Sequence, residues 1–552
     1  MKKIIRSTYR TFVFIGSVAL VQSCAQGKND TQNPKPEHVI IIGVDAMSPD
    51  GIINADTPVL DEIMLNGAYT LNARGVLPTS SSSNWASMVS GAGPEQHGVT
   101  SNGWERDDFN FPPVTTGTED IFPTIFGVSR TNRPELEIGA IYTWTGFGRL
   151  IERTALDYDD TGSNDEETMD KAITYIKEKK PGLLFVHFDD VDHAGHTYGH
   201  KTQTFYDAVA LADTQIGAII QATKDAGIFD QTTFIISADH GGIGYGHGGE
   251  TLDELEIPFM VYGKGIKKGY LIKNQVYTYD NAATVAHLLG IEQPYAWIGK
   301  PVKSVFQGQP EPELGNQKIA IPAPIIYPKP LLYDAAGGLF IDEEPEVKIE
   351  ARDNAEIRYT IDGSIPTKSS ELYSKPFKLQ KSAVVISKAF AGDNEESNPS
   401  TAFFRLVKKD SKNGVGYTYY EGKDWQFVPV FEKLNPIKKG SKYEFRIDDI
   451  NQRQGQFGIQ FKALLQIEKA GDYRFYLNSD DGSNLYIDGE KVVDNDGGHG
   501  TVERMGEISL DPGMHQIRVD YHNQDGGYWL DVFYKGPGVP KQIIPADKLF
   551  LE

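Results

Sequence analysis

Cysteine is nearly absent: Cys24 is the only one among 552 residues. No disulfide can therefore form within the chain, and any metal site must be built from oxygen and imidazole ligands rather than thiolates. Excess positive charge is also lacking. Lys and Arg number 54 against 76 Asp and Glu, giving a net charge of -22. Such a chain gains nothing from counterion release, which excludes general nucleic-acid binding. Long apolar runs are missing too. The stretch 12–21 is too short to span a bilayer comfortably, and no short-period repeat or long low-complexity tract occurs. What remains, 39% hydrophobic and 24% charged residues, is a globular composition. The length exceeds one core and predicts two to four domains.

The N-terminus reads as a targeting signal. Lys2, Lys3, Arg6 and Arg10 precede the short apolar stretch, and Val21-Gln22-Ser23-Cys24 follows it. A lone cysteine at this place favours a lipobox with Cys24 lipidated; the alternative is an ordinary signal peptide cut after Ala25. The expected layout is a lipoprotein signal peptide over 1–24 and a polar flexible tether over 25–36. The expected location is the bacterial cell envelope, at the outer membrane or cell surface, with a periplasmic or secreted protein otherwise. Membrane contact would run through the lipid on Cys24.

From residue 38 the pattern changes. Val39 to Val44 is a β-branched apolar run ending in Asp45, and similar runs precede Asp189 and Asp239. They read as buried parallel strands separated by helices, near 166–179 and 205–226, and predict an α/β domain with a mostly parallel sheet over 37–308. In such sheets function gathers at the carboxyl ends of the strands, where these acids lie. The prolines between 310 and 330 mark a boundary. Beyond it, short alternating strands predict a small β-sandwich over 316–407 and a second all-β unit, a barrel, over 415–552.

The chemistry-bearing residues come in order. Asp192-His193-Ala194-Gly195-His196 sets a carboxylate and an imidazole four positions apart, on one face of a helical turn. Asp239-His240-Gly241-Gly242 follows a buried run, and Gly246-His247-Gly248 adds another imidazole. This donor set suits zinc or a similar first-row ion. The hydroxyl-rich segment Thr79-Ser80-Ser81-Ser82-Ser83 leads into a helix expected to start near Asn84. A hydroxyl there meets free N–H groups and the positive end of the helix dipole, which favour an alkoxide and a bound phosphate. The bland alternative is a helix cap.

Together these motifs resemble the type I phosphodiesterase/nucleotide pyrophosphatase branch of the alkaline phosphatase superfamily. That branch has Pro-Thr-x-Thr-Phe-Pro-Asn before a helix ending in Thr/Ser-Gly; here Pro78-Thr79-Ser80-Ser81-Ser82-Ser83-Asn84 stands there, with Ser90-Gly91 after it. The resemblance implies Ser81 as nucleophile and Asn84 as a phosphate contact. It implies one zinc held by Asp192, His196 and His247, and another by Asp45, Asp239 and His240 with Ser81. The implied chemistry is in-line hydrolysis of a small phosphorylated substrate, a nucleotide or phosphodiester, through a phosphoseryl intermediate. His97-Gly98 matches a superfamily element of structural role. Ser82-Ser83 replace Phe-Pro, a departure at the substrate-stacking wall that leaves nucleotide specificity open. Sulfatases of the superfamily need x-Pro-x-Arg after the nucleophile, and Ser82-Ser83-Asn84-Trp85 does not supply it.

Ile357 to Thr367 resembles the chitobiase/β-hexosaminidase C-terminal module, and Ser479-Asp480-Asp481-Gly482-Ser483 with Leu485-Tyr486-Ile487-Asp488-Gly489 resembles the protective-antigen-like (PA14) domain. The second resemblance implies that Asp480 and Asp481 could hold calcium and a glycan, against a plain tight turn. Two readings compete with the phosphodiesterase. One is a phosphomonoesterase or other phosphoryl hydrolase on the same metals, for which Arg149 or Lys201 could supply the extra cation. The other is an envelope glycan-binding protein with a degenerate catalytic domain.

Overall fold

The computed structural model describes residues 35–552 except 314–318, 333, 352–354, 393–394, 410–411, 451–452 and 454. The expected signal peptide, Cys24 and most of the tether lie outside the described residues. Among the described residues no helix is long and apolar enough to cross a membrane.

The N-terminal unit is built on an eight-stranded sheet: β1 (His38–Val44), β2 (Ala68–Arg74), β3 (Ile138–Tyr142), β4 (Tyr158–Thr161), β5 (Leu183–Phe188), β6 (Thr232–Ser237), β7 (Glu256–Gly263) and β8 (Tyr270–Leu271). Its order is β4-β3-β5-β1-β6-β7-β2-β8. β1 lies in the middle, parallel to β5 on one side and β6 on the other, and β7 alone runs against the rest. Both faces are covered, which is why β1, β5 and β6 read as unbroken apolar runs rather than alternating ones. Helices Asp165–Lys179 and Gln203–Asp225 pack on one side; Ser81–Ser90, Ile125–Asn132 and Asp280–Leu289 pack together on the other.

The helix at the hydroxyl-rich turn begins at Ser81, not near Asn84 as expected, with Ser80 as its N-cap. Serine has modest helix propensity, but all ten residues of this helix are buried, so tertiary packing decides its start. Ser87 Oγ donates back to Ser83 O at 2.8 Å, absorbing one hydroxyl inside the helix.

Two β units follow. The first packs a small sheet, Ile325–Tyr327 with Glu346–Glu350 and Phe377–Lys378, against a larger one containing Glu356–Thr360, Ala383–Ala391 and Ser400–Val407. Val347, Ile349, Val385, Ala402 and Phe404 fill its core. The second faces a sheet built on Phe457–Ile467 and Gly513–Asn523 with one built on Gly471–Asp480 and Trp529–Gly536 around Phe461, Phe475, Leu485 and Tyr521. The first β unit touches the α/β unit: Asn398 Nδ2 donates to Glu256 Oε1 at 3.1 Å, and Lys329 Nζ to Asn54 Oδ1 and Tyr206 OH at 3.1 Å each.

Candidate active site

Three strand ends and one helix N-terminus converge. β1 delivers Asp45, β5 leads into the helix Asp190–Tyr198 that carries Asp192 and His196, and β6 delivers Asp239 and His240. The loop after β6 returns His247 over them. Its imidazole stacks on His240 with ring centroids 3.8 Å apart, and lies 5.1 Å from that of His196. Ser81, first residue of its helix, faces the cluster with Oγ 3.3 Å from His240 Nε2. Every residue expected to ligate metal in the α/β unit is therefore brought to one place.

Local devices hold them. Ala46 turns into a left-handed conformation (φ 56°), a strained choice for a residue with a Cβ, and its N–H reaches Asp239 Oδ1 at 3.2 Å. Trp85 Nε1 donates to Asp45 Oδ2 at 3.0 Å. Gly43 makes room for that indole, since a Cβ there would lie 2.5 Å from its ring. His97 Nε2 meets Ser87 Oγ at 2.9 Å and its Nδ1 accepts from Val99 N–H at 3.1 Å, so it braces the Ser81 helix from behind.

The electrostatics of the cluster call for a cation. His240 Nε2 lies 3.4 Å from Asp45 Oδ1 and 3.2 Å from Asp239 Oδ2; His196 Nε2 lies 3.4 Å from Asp192 Oδ2, and His247 Nε2 3.8 Å from Asp192 Oδ1. Burial, then the neighbouring carboxylates, push Asp45 and Asp239 well above the usual carboxylate range. Burial and His240 pull His247 down to about 4. Asp45 Oδ1, Asp192 Oδ1 and Asp239 Oδ2 are buried with no hydrogen-bond partner, and such orphaned buried atoms are rare without a missing ion or water. The three imidazoles are oriented for ligation. His196, His240 and His247 each point Nδ1 at a backbone carbonyl, Tyr245 O, Gly241 O and Thr79 O, at 2.7–2.9 Å. With Nδ1–H so engaged, each Nε2 presents a lone pair to the cluster. Asp45, Asp239 and His240 offer ligand atoms within 4.8 Å of one another, as do Asp192, His240 and His247. The residues fit divalent ions of N/O preference. His196 is the outermost, its side chain 46% exposed.

The expectation for Asn84 is corrected. Its amide is spent on the loop before Ser81: Oδ1 accepts from Val76 N–H at 2.6 Å, while Nδ2 donates to Val76 O, Pro78 O and Ser80 O at 3.1–3.3 Å. It is fully buried and shapes the turn rather than facing a ligand. Asn102, for which the sequence offered no functional signal, lies beside the first turn of the Ser81 helix. It is exposed, and its Oδ1 accepts from Ser82 N–H at 2.8 Å, next to Ser81. No acceptor holds its Nδ2 among the described residues. The only local signal was the Asn102-Gly103 turn, which says nothing of what lies nearby. Arg149 also reaches this spot, donating to Ser82 Oγ at 3.0 Å and Asn102 O at 2.6 Å. Lys201 does not; it pairs with Asp253 at 2.6 Å.

Asp480 and Asp481 stand apart in the last β unit and belong to none of the acid–histidine groups found among the described residues. Asp481 accepts from His499 N–H and Gln524 N–H at 2.8 Å each, bracing two loops, and burial with Asp481 beside it pushes Asp480 up to about 6.

Comparison with known proteins agrees with this layout. Residues 39–255 match the family described as type I phosphodiesterase / nucleotide pyrophosphatase, residues 335–401 the chitobiase/beta-hexosaminidase C-terminal domain, and residues 411–548 the PA14 domain. Among curated proteins, GPI ethanolamine phosphate transferase 1 of Saccharomyces cerevisiae is 24% identical over 289 residues, 47% of this chain and 31% of that protein. Bis(5'-adenosyl)-triphosphatase enpp4 of Xenopus laevis is 23% identical over 237 residues, 42% of this chain and 52% of that one. The matches thus span about a third to a half of these relatives' lengths. Among solved structures, human ectonucleotide pyrophosphatase / phosphodiesterase 5 aligns with 49% of this chain and 100% of that one, at 16% identity and a TM-score of 0.43. In order along the chain, then, stand segments similar to the type I phosphodiesterase / nucleotide pyrophosphatase family, the chitobiase/beta-hexosaminidase C-terminal domain and the PA14 domain.

Proposed function

We propose that this protein hydrolyses phosphodiester or diphosphate bonds at a two-zinc centre, with Ser81 as nucleophile. The observation that carries the reading is the position of Ser81 Oγ: at the first residue of a buried helix, 3.3 Å from His240 Nε2 and facing carboxylate oxygens that have no partner. Bound divalent ions would supply Lewis acidity to the reacting oxygens and lower the pKa of the Ser81 hydroxyl. Asp192, His196 and His247 would hold one, and Asp45, Asp239 and His240 the other.

The chain's own groups do the rest. The Ser81 hydroxyl attacks phosphorus as the leaving alcohol or phosphate departs on the opposite side, forming a phosphoserine. Water then cleaves the Ser81–phosphorus bond and restores the hydroxyl. The helix N-terminus and Asn102 Nδ2 meet the non-bridging phosphate oxygens. Ser81→Ala is expected to lower kcat at least about a thousand-fold with zinc content unchanged. Full residual activity in that variant would remove Ser81 from the role.

A second reading, phosphomonoester hydrolysis, draws on Arg149. Its guanidinium beside Ser82 Oγ could neutralise the additional charge of a monoester. Comparing kcat/KM for a monoester, a diester and a nucleotide pyrophosphate separates the two. The same assays run with an added alcohol distinguish hydrolysis from phosphoryl transfer to a second acceptor, a distinction raised by the ethanolamine phosphate transferase relative.

The basic leader and Cys24 support export to a bacterial envelope and lipid anchoring there. The PA14 domain supports a glycan-binding role, with calcium at Asp480 and Asp481. A glycan array on the full chain, with and without chelator, tests it. A chain that binds glycans yet holds no zinc and shows no phosphoesterase activity would be an adhesin instead.

A further inference from the structure

We propose that the cleft between the two β units binds a short, uncharged oligosaccharide, at a place separate from Asp480 and Asp481. The cleft measures about 490 Å³, inside the range of about 300–1,000 Å³ usual for small-ligand sites. Its walls come from both β units: the strand Ala336–Ile341 on one side, and the segment 442–449 with Asp531 and Ile543 on the other. Lys329 also lines it, and donates to Asn54 Oδ1 and Tyr206 OH of the α/β unit. An occupant would therefore be held where all three units meet.

Asp531 is the group that calls for a ligand. It lines the cleft and is only 7% exposed. Trp529 Nε1 donates to its Oδ2 at 2.8 Å, but Oδ1 has no hydrogen-bond partner among the described residues. Burial holds the carboxyl up at about 6 against the pull of Arg446 and Arg405. Both guanidiniums are engaged elsewhere, Arg405 with Glu444, and Arg446 with Asp334 and Asp448 at 2.6 Å each. A buried carboxylate oxygen left in this way is stabilised by a donor from outside.

The surroundings select the donor. Four cations and five carboxylates line the cleft, so a phosphate, a sulfate or a polycation meets as much repulsion as attraction. Hydroxyls suit it, because each can donate to Asp531 while accepting from a lysine or arginine. Leu331, Leu339 and Ile543 lie among the polar groups and offer apolar surface to the C–H faces of a sugar ring. An extended peptide fits less well. Ala336–Ile341 is the edge strand of its sheet, next to Ser400–Val407, but Gly337 and Gly338 have φ of 96° and 151°. Those angles break the extended backbone on which an added strand would form a regular ladder.

The test is an array of neutral, sulfated and phosphorylated oligosaccharides and extended peptides, probed with the full-length protein with and without chelator. Binding of a neutral oligosaccharide is expected, and it should survive chelation. Titration calorimetry with that oligosaccharide should show affinity lowered about ten- to hundred-fold in Asp531→Ala, the loss typical of a hydrogen bond to a charged group. Leu339→Trp, which narrows the cleft from a half-buried position, should weaken binding too and serves if the first variant fails to fold. Binding that disappears with chelator would assign the sugar to Asp480 and Asp481 and overturn the cleft as its site. Unchanged affinity in a folded Asp531→Ala or Leu339→Trp variant would overturn the placement. A preference for charged sugars or peptides, or no binding to any neutral oligosaccharide, would overturn the ligand class.

Discussion

The strand-end cluster and the junction of the two β units both bury charge, but by opposite means. At the junction each buried ion has a partner in the chain. Arg405 pairs with Glu444, both nearly inaccessible, and Arg446 pairs with Asp334 and Asp448 at 2.6 Å each. Asp531 accepts from Trp529 Nε1 at 2.8 Å. These groups line a cleft of about 490 Å³ that also contains Lys329 and Lys442. At the strand ends no Lys or Arg pairs with Asp45, Asp192 or Asp239 among the described residues; three carboxylate oxygens lack partners, and the neighbouring imidazoles are set to donate lone pairs rather than protons. Buried charge that the chain neutralises itself holds modules together. Buried charge that it leaves unneutralised calls for ions from outside.

This contrast can be broken experimentally. The largest expected effect after loss of Ser81 is that of chelation. Removing ions should lower the unfolding transition of the α/β domain, by about 4 kcal/mol if free metal had stood a thousand-fold above Kd. The transitions of the β units should stay where they are. Calorimetry with and without chelator checks this, and equal shifts in all domains would erase the distinction. Next comes Arg405→Ala, which strands Glu444 as a buried uncompensated charge and should cost about 3–5 kcal/mol in the β region. Bound metal, measured alongside, should not change. Adding Glu444→Gln should recover much of the loss.

Asn102→Ala is expected to lower kcat about a hundred-fold with metal content unchanged, the loss typical of one oxyanion donor. Asn84→Ala should instead lower stability and disturb the turn before Ser81. Steady-state kinetics and melting curves on both variants separate the two roles.

The smallest effects concern pH, and the two regions should respond in opposite directions. Burial pulls His97 down to about 3. Unfolded protein then binds the extra proton, so stability present above about 6.5 is lost as pH falls toward 3. Burial pushes Asp531 up to about 6. There the folded protein holds the extra proton, so stability present below the unfolded value near 3.9 is lost as pH rises through 6. Between pH 7 and 5, His97→Gln should flatten a fall in stability and Asp531→Asn should flatten a rise. Denaturant melts of each variant across that range measure both slopes.

Much of this was legible in the sequence because it depends on local pattern. Apolar β-branched runs ending in acids gave β1, β5 and β6, and four-residue spacing put Asp192 and His196 on one helical face. The Ser81 helix shows the limit: its start depends on ten buried residues packing into the core, not on the propensities of a serine run. Asn84 and Asn102 show it again. Both are asparagines near Ser81, and only the path of the chain decides which amide is consumed by the loop and which remains beside Ser82.

By itself the sequence determined the kinds of candidate ligand, their order and their placement at strand ends, because alternation, helical spacing and turn chemistry act over a few residues. With one cysteine, it also excluded a site built from several thiolates. Only the tertiary structure decided which atoms face one another and which carboxylate oxygens remain without a partner. Those properties arise from burial and from contacts between residues more than a hundred positions apart, where low polarity makes each unpaired charge count.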